Sequence, residues 1–148
     1  MNLYLTLSSL LAKRFDKKFA ADYLDMLHAA IHKDKERVLS SSIRLGILTG
    51  EESRDMIETH VHAVFLVGEP FVEHGHFDFG NQSITKRVYE KLPVIIEKRL
   101  KPPPLEVFAL HRLLGGAFLM LMRLGSVVEV RKLFEEIYKK VIDDLRIN

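Results

Sequence analysis

The 148-residue sequence contains no cysteine. Disulfides, thiolate nucleophiles and cysteine-ligated zinc are therefore excluded, and the usage fits a reducing compartment. Charge of one sign is scarce too: 22 lysines and arginines stand against 20 aspartates and glutamates, a net +2. That excess is too weak to call for nucleic acid, although a pI of about 8.8 leaves an acidic partner or anionic lipid open. No apolar run reaches the roughly 20 residues of a membrane span. The longest, Leu113–Met122, is broken by Gly115 and Gly116 and reads as a buried helix. The opening MNLYLTLSSLLAKRF lacks the charged start and small-residue cleavage site of a secretory leader, and the arginines of a mitochondrial presequence. Repeats and low-complexity segments are missing. Alternation of period two is nearly so: only LYLTL, Leu3–Leu7, offers a short strand, and it would need a sheet elsewhere.

What is there is helical spacing. With 47% hydrophobic and 28% charged residues the chain has ordinary globular composition for one domain. Phe19, Tyr23, Met26, Leu27, Ala30 and Ile31 predict a helix over 16–32, and Val38, Ile43 and Leu45 a second over 34–45, closed by Gly46. Thr49 and Glu52 have the spacing of a capping box, which predicts a third helix over 50–67 stopped by Gly68 and Pro70. Residues 69–82 form the longest irregular stretch. Asn81 or Ser83 is placed to cap a helix over 83–100, in which Pro93 predicts a kink or two short helices. After Pro102-Pro103-Pro104, a fifth helix over 104–124 is apolar on nearly every side, which predicts a central position. Its Gly115-Gly116 pair predicts close approach by a neighbouring backbone. A last helix over 127–145 carries Val130, Leu133, Phe134, Ile137, Tyr138, Val141 and Leu145 as one stripe. The fold class expected is all-α, with about six helices.

Three groups invite a chemical reading. Asp78-Phe79-Gly80 spells the triplet whose aspartate holds magnesium in kinases. That chemistry also needs a lysine, a glutamate, a catalytic Asp and Asn and a loop over the phosphates, and none of these is found. The sequence HRL at His111–Leu113 lacks the aspartate of a catalytic loop, so Asp78 is expected to brace its own turn. His60 and His62 are two apart and diverge on a helix. A metal site with His74 and His76 is the weaker reading, and a partly buried His60 with ordinary loop histidines the stronger. The stretch KRVYEKLPVIIEKRLK, residues 86–101, puts Lys86, Arg87, Lys91, Lys98 and Arg99 on a charged face. It reads as a solvated helix face first and as a surface for anionic lipid or acidic protein second. Nucleic acid is disfavoured, since no aromatic platform is interleaved.

Several stretches together resemble one family: RFDKKFAADYLDMLHAA, LSSSIRLGILTGEES, GEPF, FDFGNQSITKRVYEKLPVIIEKRLKPPPLEVFALHRLLGGAF and KLFEEIY. They are similar to the UbiB family, the aarF-domain-containing atypical kinases that support ubiquinone biosynthesis, and to its mitochondrial members most. The resemblance implies that residues 13–148 are a fragment of the helical C-lobe of a kinase-like fold, after a segment 1–12 without a match. It places the family's metal-binding triplet just before RFDKKF, where Ser8-Ser9-Leu10 stand, so that Asp78 corresponds to no metal ligand. The phosphate-side lysine, catalytic loop and nucleotide loop fall upstream of Met1. The resemblance therefore implies no catalytic, cofactor-binding or metal residue here; ATP and magnesium belong to the full-length family. It also implies a truncated, inactive product or gene model, a mitochondrial location, and coenzyme Q biosynthesis proteins or an anionic membrane as partners. A face left by the absent lobe, on helices one and five, is expected to be apolar and open to self-association. The rival is an independent binding module using Lys86–Lys101, and a third reading is an intact enzyme with further upstream sequence.

Overall fold

A computed structural model describes residues 15–146, and the expected strand at Leu3–Leu7 and the Ser8–Leu10 position lie outside them. The described chain is essentially all-helical. Helix α1 (Lys17–Ile31) begins where the Asp16 carboxylate accepts the amides of Lys18 and Phe19 at 3.0 and 3.3 Å. Asp34 does the same for α2 (Lys35–Arg44), accepting from the Arg37 amide at 3.0 Å. Gly46 closes α2 with φ +73°, and a Cβ there would meet Pro104 at 3.2 Å, so both torsion and space require glycine.

Helix α3 (Arg54–Gly68) starts later than the sequence predicts. Its cap is Ser53, whose hydroxyl accepts from the Met56 amide at 3.3 Å. The Thr49–Glu52 pair forms, but it closes a loop instead: the Glu52 carboxylate accepts from the Thr49 amide and hydroxyl and the Gly50 amide at 2.7, 2.9 and 2.9 Å. Gly68 is the last residue of α3 rather than the first beyond it. Its missing Cβ would stand 3.0 Å from the Ala30 Cβ, so it lets α3 cross α1 closely. The chain then turns through Glu69–Phe71, with Pro70 in the first turn of that 3-10 helix.

The predicted helix over 83–100 is two: α4 (Ile84–Tyr89) and α5 (Leu92–Lys98). Pro93 lies in the first turn of α5, where its missing N–H leaves no bond unmade. Ser83 takes the capping position of α4 without capping it, and the Gln82 side chain accepts from the Ile84 amide. Two residues pair where no strand is expected: β1 (Phe77–Asp78) runs antiparallel to β2 (Val127–Val128), with Phe77 opposite Val128. Two residues are too few to show alternation. Helix α6 (Leu105–Arg123) precedes β2 and α7 (Val130–Arg146) follows it.

The central helix is α1, not α6. Tyr23, Met26, Leu27, Ala29, Ala30 and Ile31 are buried there against Val38, Val61, Val64, Val107 and Phe134. A smaller cluster joins Leu48, Met56 and Ile95. In α6 only Val107 is fully buried, while Leu105, Phe108, Leu119 and Met120 are exposed. No atom lies within 4 Å of a Cβ built at Gly115 or Gly116, so the expected close approach is not made by any described residue. Apolar residues on nearly every side predict a surrounded helix, but the described residues pack on one side of it only. Exposed apolar residues thus stand on α6, whereas those of α1 form the core.

Candidate functional site

Glu69, Glu73, His76, Asp78 and Arg87 line an open polar recess of about 660 Å³ beside the triplet. Each letter of Asp78-Phe79-Gly80 has a local task. The Asp78 carboxylate accepts the Gly80 amide at 2.9 Å and starts the 3-10 helix Phe79–Asn81. Phe79 is 1% exposed, wedged edge-on between Phe77 and Phe118 at centroid distances of 4.9 and 5.5 Å. Gly80 passes so near Gly125 that an added Cβ would lie 3.1 Å from its Cα, and the Phe79 amide bonds the Ser126 carbonyl at 3.0 Å. The triplet pins the loop to the turn between α6 and β2. Among the described residues no three histidines, aspartates or glutamates stand close enough to share a metal ion.

His60 is 5% exposed, and its Nε2 lies 2.8 Å from the Ser42 hydroxyl. That hydroxyl donates to the Val38 carbonyl at 2.7 Å. It is thereby left accepting from the imidazole, which is not a nucleophile–base arrangement. Burial, with the Arg99 and His111 charges, lowers His60 to about 4 although Glu52 opposes the shift. His62, one residue past Val61, is exposed, as are His74 and His76.

The basic stretch runs over two short helices, and its cations differ in what they contact. Arg87 of α4 pairs with Glu69 at 2.7 Å and donates to the Ser83 hydroxyl at 3.0 Å. Lys98 of α5 pairs with Asp55. Asp55 opens α3 and Glu69 follows its end, so these two cations fasten the short helices to opposite ends of α3. Arg99 is half-buried, burial lowers its guanidinium, and its Nε has no hydrogen-bond partner among the described residues. Lys86 is exposed and Lys91 half-buried.

A denser charge network is not visible as a motif. Asp25 of α1 accepts from Arg37, from the Ser41 hydroxyl at 2.9 Å and from Arg44 at 2.7 Å. Asp22 accepts from Arg44 at 3.0 Å and Lys18 at 3.0 Å. Burial raises the Asp25 carboxyl, but Arg37, Ser41 and Arg44 outweigh it and hold the group below its ordinary value. The spacing of Asp22 and Asp25 on α1 against Arg37 and Arg44 on α2 is the signal that could have found it. These groups hold two helices in register, and Lys18, Asp22 and Arg44 border an open recess of about 220 Å³.

No protein-family profile matches the chain. Individual proteins do. It is 40% identical over 131 residues to "Atypical kinase COQ8, mitochondrial" of Schizosaccharomyces pombe, which is 87% of this chain. It is 40% identical over 129 residues to "Atypical kinase COQ8B, mitochondrial" of Rattus norvegicus, again 87% of this chain. The Saccharomyces cerevisiae "Atypical kinase COQ8, mitochondrial" is 37% identical over 130 residues, or 86% of the chain. By sequence, this chain is of the UbiB/COQ8 atypical-kinase family. It spans 22%, 24% and 26% of those three proteins. The family resemblance and the helical fold expected from sequence are both borne out.

Proposed function

We propose that residues 13–148 serve as helical C-lobe scaffold of a UbiB-type atypical kinase of coenzyme Q biosynthesis, and supply no catalytic group. The observation that carries this reading is the engagement of Asp78. Its carboxylate accepts the Gly80 amide and caps the 3-10 helix Phe79–Asn81. Phosphoryl transfer is positioning plus electrostatics, and it requires acids aimed at a metal between two lobes. The kinship supports the kinase setting, and the relatives' names support a mitochondrial location. The reading as an independent lipid- or protein-binding module would rely on Lys86 and Lys91, since Arg87 and Lys98 pair with acids at the ends of α3.

The test is a chimera. The matching span of the S. cerevisiae COQ8 protein is replaced by residues 15–146 and expressed in yeast lacking its own copy. Recovery of mitochondrial coenzyme Q is expected. A folded, accumulating chimera that restores none would overturn the reading.

A further inference from the structure

Helix α6 has the length and composition of a membrane-crossing helix, yet only 6% of its most apolar window is buried. One side is taken by protein. Leu110 and Leu114 pack on the core, Phe118 meets Phe79, and His111 sits edge-on to Tyr23 at 5.8 Å. The other side presents Leu105, Phe108, Arg112, Gly115, Gly116, Leu119 and Met120, whose spacings of three and four place them on one face. Phe108 is 57% and Met120 63% exposed. Between them the two glycines form a saddle that no described atom enters. Glycine weakens a helix, and an exposed pair gains nothing from it unless another backbone approaches.

We propose that this face of α6 is the seat of an apolar helix from the part of a UbiB-type kinase chain that these 148 residues do not span. The inference rests on the kinase-scaffold reading above and names the partner of its open side. Two observations choose this occupant. A match covering 87% of the chain must include α6 wherever it is placed, so this helix is sequence shared with proteins of which the chain spans only 22–24%. About three-quarters of such a chain is therefore available to cover it. The face also carries Arg112 at its middle, which makes no ion pair among the described residues. A charge there is costly against lipid tails and is matched by a protein helix bearing a carboxylate. A helix crossing at Gly115-Gly116 would bring its backbone close, with Phe108 and Leu119 on either side.

The full chain is co-expressed with tagged S. pombe COQ8 from which the matching span has been removed. Stoichiometric capture is expected, and a loss of at least tenfold with Phe108→Glu and with Gly116→Leu. In the isolated chain Gly116→Leu does not lower the melting temperature, because its side chain enters open space and leucine is the better helix former. Three outcomes would overturn the proposal: capture that ignores both substitutions; a dimer by light scattering that Phe108→Glu dissolves; flotation with phosphatidylglycerol vesicles that the same change abolishes. Should capture fail altogether, the yeast chimera decides. A chimera that restores coenzyme Q equally well with and without Gly116→Leu removes the α6 seat but leaves the scaffold reading standing. A folded chimera inactive even without the substitution removes the scaffold reading itself.

Discussion

The guanidinium of Arg87 lies 2.7 Å from the carboxylate of Glu69, just beyond the end of α3. Both side chains are 37% exposed, so solvent screens the pair. Arg87→Ala is expected to cost less than about 1 kcal/mol. A double-mutant cycle with Glu69→Ala should return a coupling of roughly 0.5 kcal/mol that fades in high salt. Zero coupling in urea titrations at low salt would show that the pair does not fasten α4.

The buried His60 makes stability fall with acid. Its pKa is about 4 in the fold, below the unfolded value of 6.5, so the neutral form is the one the fold accepts. The contribution is complete above pH 6.5 and is lost as the pH falls toward 4. By pH 5 the loss is about 2 kcal/mol, at about 1.4 kcal/mol for each unit. His28, lowered by burial and then by His32 and Arg37, adds to the slope. Burial raises the Glu52 carboxyl, but Thr49 and Gly50 donors hold it low, so Glu52 acts only below about 4.5, its unfolded value. Urea midpoints at pH 7.5 and 5.0 should therefore converge in His60→Gln. An unchanged difference would remove His60 as the cause.

Two helical glycines should answer substitution in opposite ways. Gly68 faces Ala30, with the α1 backbone behind it at 3.7 Å, and Gly68→Leu is expected to destabilise by about 1–3 kcal/mol through overpacking. Gly116 faces open space, and Gly116→Ala should stabilise the isolated chain by up to about 1 kcal/mol. Thermal denaturation of both variants checks this, and destabilisation by Gly116→Ala would mean that α6 is already covered in the isolated chain.

The elements legible in the sequence are those whose signals are local. Gly46 and the 3.6-residue spacing of Tyr23, Met26, Leu27 and Ala30 act within one helix, and with the spacing of Val38, Ile43 and Leu45 they bound α1 and α2 to within a residue or two. The Thr49–Glu52 pair misplaced the start of α3 because the same reciprocal bonds close a loop as readily as they cap a helix. The position of α6 was illegible for a different reason. Apolar composition says that a face will be covered, but not by which chain, and here the described residues cover one side only. Asp78 was legible as a brace because its required partners are missing from the sequence. The role of Phe79 and Gly80 in gripping Gly125 and Ser126 was not, since it depends on contacts more than forty positions away.

The most direct test of the scaffold account is isothermal titration of the full chain with Mg·ATP, beside Asp78→Asn. The account predicts no saturable heat in either protein, and for Asp78→Asn only a change in stability of about 1 kcal/mol from the weakened cap. Micromolar binding by the unaltered chain that Asp78→Asn abolishes would contradict it.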